Sequence, residues 1–184
     1  SPLLAAGGMG LQKELNRYMK ILYGLAAVLF WGALYLYVPT LPTYIQTKTT
    51  SLAVVGVVTA QYGLWQAIVR LPVGILADWL GRHKVLIILG FCLSGLGALI
   101  LGLAGGVGGL IVGRAITGLA AATWVLLVVA FSSLFPSDDA VRASAILSLI
   151  AAVGRVAATS VTGLLNQVGG FSLAFFLATG LAGL

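Results

Sequence analysis

Gly74-Ile75-Leu76-Ala77-Asp78-Trp79-Leu80-Gly81-Arg82-His83-Lys84 joins two long apolar runs, residues 52–78 before it and 85–103 after it. The stretch gathers an acid, two basic side chains and the chain's single histidine, His83, into a few positions. About 20 mostly apolar residues cross a bilayer as a helix. The stretch therefore reads as a short polar connection between two spanning helices. Gly74 and Gly81 allow close helix approach and a sharp turn. Asp78, at a helix end, is placed to accept charge-assisted hydrogen bonds from Arg82 or from the backbone of a neighbouring helix start.

Outward from this connection, further apolar runs cover residues 21–45, 110–135, 141–165 and 171–184. The expected fold is all-α: a polytopic membrane bundle of six helices. The last run is too short to cross at about 1.5 Å per residue, so the chain is expected to end inside its sixth helix. Residues 1–20 are expected to form a cytoplasmic segment and 21–184 the transmembrane domain. Ser1 to Gly8 read as a cloning remnant ahead of Met9. The first run is too long for a signal-peptide core, and no small-residue cleavage site follows, so it reads as a retained span. Gly105-Gly106, Pro136 and Gly169-Gly170 punctuate the later runs, and Ser137 or Asp138 is expected to cap the fifth helix. Pro39 and Pro42 should bend or end the first. Gly90, Gly95, Gly97 and Gly102 suit close packing between membrane helices.

Composition agrees with lipid as the solvent. The chain is 60% hydrophobic and 8% charged, where a soluble domain carries about 25% charged residues. The net charge of +6 sits in clusters between apolar runs and not along one face, which argues against a nucleic-acid partner. With Cys92 alone and His83 in a loop, disulfides within the chain, histidine-based catalysis and most metal sites are excluded. No paired intramembrane aspartates are present, so an enzyme is not expected, and neither is a cofactor. Lys13, Arg17, Lys20, Arg82, Lys84 and Arg142 fall on one side of the membrane and Lys48 on the other. That asymmetry puts the amino terminus inside.

Arg70, Arg114 and Arg155 remain, within the second, fourth and fifth runs. A guanidinium at the bilayer centre costs from about 2.5 to well above 10 kcal/mol, so each needs a partner or a watery cavity. Helical spacing groups Arg114 with Thr117, Ala121 and Trp124, and Arg155 with Ser148, Thr159 and Thr162. It also groups Tyr62 with Gln66 and Arg70, and Trp31 with Tyr35. These faces are expected to line one cavity. Substrate contacts are expected from Arg114, Arg155, Arg70, Gln66, Trp31, Tyr35 and Trp124. A positive cavity favours an anionic or polar solute. The third and sixth runs carry no charge and are expected to be peripheral, facing lipid.

The connection from Gly74 to Lys84 resembles the signature loop of the major facilitator superfamily, G-x-L-a-D-r-x-G-R-[RK]. Gly74, Leu76, Ala77, Asp78, Gly81 and Arg82 match; Trp79 and His83 depart. Gly113-Arg114-Ala115-Ile116-Thr117-Gly118 is similar to the family's R-x-x-x-G pattern in the fourth span. In the fifth span Gly154 is followed by Arg155, where antiporters of the family carry proline. The resemblance covers essentially everything after Tyr18. It implies the amino-terminal half of a secondary transporter, of a bacterial multidrug-efflux or sugar-porter-like branch. Two inverted three-helix repeats and a second six-helix half would complete an alternating-access cycle across the bacterial inner membrane. It also implies that Gly74, Asp78, Gly81 and Arg82 gate the cytoplasmic side. The other reading is a non-transport accessory or assembly subunit built on a half-transporter fold.

Overall fold

In the computed structural model, the backbone of residues 2–184 is described, with side chains from Gln12 onward. The expected remnant, Ser1 to Gly8, lies outside the described side chains. The helices are α1 (Pro2–Tyr35), α2 (Leu41–Gln46), α3 (Leu52–Leu80), α4 (His83–Leu103), α5 (Val107–Ala122), α6 (Trp124–Ser132) and α7 (Ala140–Ala182). Among the described residues, five helical segments are long and apolar enough to cross a membrane: Gln12–Gln46, Leu52–Leu80, His83–Leu103, Val107–Ser132 and Ser137–Ala182. Backbone polar groups have no water to bond in lipid, so a spanning chain satisfies them within helices.

The interruptions follow local chemistry. α1 ends at Tyr35, where Pro39 and Pro42 withhold N–H groups; a 3-10 turn, Val38–Thr40, leads into α2. Polar groups of α7 meet the broken stretch. Thr162 Oγ1 donates to the Leu36 carbonyl at 2.7 Å, and Asn166 Nδ2 donates to Thr40 Oγ1 at 2.6 Å. Ser51 caps α3 by accepting from the Val54 N–H at 3.4 Å. Gly81 ends α3 in the left-handed region, φ 62°, with its N–H on the Ala77 carbonyl at 2.9 Å. The fourth run is two helices, broken at Thr123, whose hydroxyl turns back to the Ala120 carbonyl at 2.7 Å. The fifth and sixth runs fall within α7, which is broken at Gly170 (φ 65°, ψ −174°) into two helical arms. Neither Ser137 nor Asp138 caps α7. They form a 3-10 turn, and Asp139 precedes the helix without a side-chain cap bond.

Two helix pairs, α1 with α7 and α3 with α5, are bridged by α4, which packs on both α5 and α7. The glycines of α4 serve that role as expected. Gly97 faces Gly113 and Thr117 of α5, Gly95 faces Thr179 and Ala182 of α7, Gly102 faces Phe175, and Gly90 faces Thr123. The expectation that the third run is simply peripheral therefore needs correction. α4 keeps an outward face of Val85, Ile88, Leu89 and Leu96. Its small-residue face buries Gly90, Ser94, Gly95, Gly97 and Ala98 at the centre of the packing. Absence of charge signalled the first face and the glycines signalled the second, but which helices the second packs against is visible only in three dimensions. By contrast α3 buries only Val58 and Ala77.

Candidate functional site

The two charged residues that demand explanation are held in parallel ways. Gly118 of α5 lies so close to α3 that a β-carbon there would meet the Tyr62 carbonyl oxygen at 2.5 Å. One turn back along α5, the Arg114 guanidinium then sits over the Tyr62 ring, 4.5 Å from its centroid. On the other pair, a β-carbon at Gly154 of α7 would meet the Val28 carbonyl oxygen of α1 at 2.9 Å. The next residue, Arg155, stacks over the Trp31 ring at 4.6 Å and lies 5.9 Å from the Tyr35 ring. Each close helix crossing thus delivers an arginine onto an aromatic face, an attraction of about 0.5–2 kcal/mol according to desolvation.

The aromatic faces are continuous. Trp31 meets Tyr35 edge-on at 5.5 Å and Trp124 at 5.4 Å, and Phe30 stacks on Trp124 at 6.5 Å. Trp31, Tyr35, Tyr62 and Trp124 belong to one apolar cluster with Ala120, Ala121 and Ala151. Tyr62 in turn lies near Tyr35, Tyr37, Arg114 and Arg155.

The hydrogen-bond inventory of this cluster is lopsided. Arg114 is 4% exposed, and its Nε and Nη1 make no well-formed hydrogen bond among the described residues, nor do the Tyr62 hydroxyl, the Trp31 indole N–H and the Tyr37 hydroxyl, although the last lies beside Arg114 and Thr117. The nearby Thr117 hydroxyl is occupied, donating to the Arg114 carbonyl at 3.0 Å. The only acids of the chain are Glu14, Asp78, Asp138 and Asp139; Asp78 ends the second apolar run and the others lie outside the runs, so no carboxylate of this chain answers Arg114 within the membrane.

Of the residues expected to share a cavity, Arg114, Arg155, Trp31, Tyr35 and Trp124 are brought together. Gln66 and Arg70 lie further along α3. Among the described residues, neither joins the hydrogen bonds and ring contacts of the cluster, and Arg70 is exposed. α3 packs along α5, and Gly118 brings the Tyr62 backbone close at this point of the contact. Tyr37 is the residue that sequence reading missed. It sits one residue before the 3-10 turn, at a position helical spacing does not assign to the α1 face. Thr162 bonds to the Leu36 carbonyl in the broken stretch after α1, and Ser148 is exposed.

At the connection between α3 and α4, Asp78 pairs with His83, Nε2 to Oδ1 3.7 Å, and not with Arg82. The backbone at Arg82 (φ −121°, ψ 57°) turns the chain so that α4 begins at His83. Asp78 remains 84% exposed, and such a pair contributes about 0–1 kcal/mol. Gly81 makes the turn as expected. Gly74 has open space around it, so it makes no close helix approach among the described residues.

Multiple long apolar helices, with few charges within them, define an integral, multi-pass membrane protein. Residues 23–184 match the Major Facilitator Superfamily, and the chain belongs to that family of membrane transporters. Its kinship is with transport proteins and not with enzymes. The chain is 37% identical over 98 residues to the inner membrane transport protein YajR of Escherichia coli (strain K12). That alignment covers 51% of this chain and 21% of the relative's length.

Proposed function

We propose that this chain forms the amino-terminal half of a secondary transporter that moves a small solute by alternating access. In this reading six spans form two inverted three-helix repeats, with the amino terminus cytoplasmic in a bacterial inner membrane. The direction we favour is export. The observation that carries the reading is the Arg114 site. A guanidinium without a counter-ion, roofed by a tyrosine ring and flanked by unpartnered donors on separate helices, is costly unless a ligand or water reaches it. α3 supports the presence of a second half. Leu64, Ile68, Leu71 and Ile75 are exposed along it, an apolar face that a further helix bundle or lipid must cover. In the same reading Gly74, Asp78, Gly81 and Arg82 latch the cytoplasmic side.

Single cysteines in a Cys92→Ser background of the full-length protein test the proposal without knowledge of the solute. Membrane-impermeant thiol reagents should label Lys48→Cys only from outside and Lys84→Cys only from the cytoplasm. Tyr35→Cys, at the aromatic face, should be reached from either side. Labelling of Lys84→Cys from outside would reverse the topology. A Tyr35→Cys reached from one side only, under all conditions, would rule out alternating access.

A further inference from the structure

Donors without acceptors specify a ligand. Among the described residues, the buried groups that make no well-formed hydrogen bond include Arg114 Nε and Nη1 and the Tyr62 hydroxyl, together with the Tyr37 hydroxyl, which lies beside Arg114 and Thr117; the Trp31 indole N–H of the same cluster is a further one. A guanidinium and an indole N–H can only donate, and a phenol can donate or accept. A second, positively charged group lies close by in Arg155, already seated on Trp31 and Tyr35. Next to these donors Phe30 and Trp31 are buried against neighbouring rings, and the partly exposed rings of Trp124 and Tyr35 supply apolar surface.

We propose that this half-site binds an aromatic organic anion, with the oxyanion, a carboxylate or sulfonate, on Arg114 and the ring system against Trp124 and Tyr35, the partly exposed rings of the cluster. The proposal rests on the transporter reading and names its substrate class. A guanidinium matches an oxyanion through paired N–H bonds, and charge-assisted bonds of this kind are about twice as strong as neutral ones. A cation would meet two positive charges with no carboxylate of this chain inside the membrane. A neutral flat molecule would gain the rings but leave Arg114 unanswered. Tyr62 acts as a lid. Its ring covers the guanidinium and lies on α3, the least buried helix of the chain, so a swing of this ring opens Nε and Nη1 while its hydroxyl stays within reach of the anion.

Three probes of near-equal shape and fixed charge test the proposal: naphthalene sulfonate, naphthalene sulfonamide and naphthyl trimethylammonium. Binding to the purified full-length protein is read by tryptophan fluorescence and by shift of the melting temperature. The sulfonate is expected to bind at least about tenfold more tightly than the other two, the scale of a charge-assisted bond. Arg114→Gln should erase the preference, and Tyr62→Phe, which keeps the ring and the fold, should weaken sulfonate binding about threefold or more. Equal binding of all three probes, preference for the cation, or saturable binding of none overturns the proposal. So does an undiminished preference in a folded Arg114→Gln protein. Preference for the cation would indicate that an acid from outside this chain neutralises Arg114. Since the cysteine-labelling test uses no ligand, two-sided access at position 35 beside a failed anion preference would retain the transporter and discard only the substrate class.

Discussion

Arg114 and Arg155 are built alike and left in different states. Both ride beside a glycine that lets two helices touch, Gly118 against Tyr62 and Gly154 against Val28. Both also face an aromatic ring at about the same separation, 4.5 Å and 4.6 Å. Arg155, however, is only half-buried and shares two rings, whereas Arg114 is buried with two nitrogens unpartnered. The same device therefore supports a cation at one crossing and withholds its hydrogen bonds at the other. In a low-dielectric interior an unanswered donor is expensive, so the crossing of α3 and α5 is where binding has most to gain.

The largest expected effect is on that crossing itself. Gly118→Val places a side chain against the Tyr62 backbone, which cannot rotate away. The helices must part, with a loss of about 1–3 kcal/mol or more typical of overpacking. Thermal unfolding in detergent should show a clear drop, together with loss of sulfonate-probe binding. Gly154→Val should destabilise by a similar route but leave the Arg114 site in place, so probe binding measured below the melting transition should persist. Equal loss of binding in both variants would dissolve the distinction between the two crossings.

A smaller effect is expected at the ring beneath Arg155. Trp31→Leu removes the stacking face and should cost about 0.5–2 kcal/mol, read as a lowered melting temperature. The corresponding loss in Arg155→Gln should be no greater than this if the ring is its main partner, and the double variant should show non-additivity. The smallest stability effect belongs to the cytoplasmic connection. Asp78→Asn removes an exposed contact to His83 and should change stability by less than about 1 kcal/mol. If the latch assignment is right, it should still impair transport in the full-length protein. Wild-type transport in that variant would leave the connection a topological role only.

The long apolar helices, several of their breaks and two of the three arginines singled out within the runs were legible because they depend on local quantities: apolar length, glycine and proline placement, and the cost of charge in lipid. Gly81 and Gly170 were readable as breaks for the same reason; the break at Thr123 was not. What answers each arginine was not legible. Helical spacing tells which residues of one helix share a face, but Tyr62 meets Arg114 only because Gly118 brings α3 and α5 together, a fact about two helices. The same limit explains Gln66 and Arg70. Both follow Tyr62 at helical spacing, yet among the described residues neither joins the ring and hydrogen-bond contacts of the cluster. Tyr37 was hidden for another reason. The helix break ahead of Pro39 shifts it off the face that spacing assigns, so the period used for reading does not apply there. The role of α4 was half legible, since a missing charge identifies a lipid face and says little about what the opposite face packs against.

The central claim is that Arg114 is the polar anchor of the transport pathway while Arg155 supports the aromatic face. The most direct measurement is counterflow of labelled naphthalene sulfonate in proteoliposomes of the full-length protein, comparing wild type with Arg114→Lys, Arg114→Ala and Arg155→Lys. Lysine keeps the charge but loses the planar fork that pairs with an oxyanion. Both Arg114 variants should therefore fall at least about tenfold, the loss expected from one charge-assisted bond, while Arg155→Lys should retain most of its activity. Arg114→Lys and Arg114→Ala proteins that fold and transport like wild type would contradict the account.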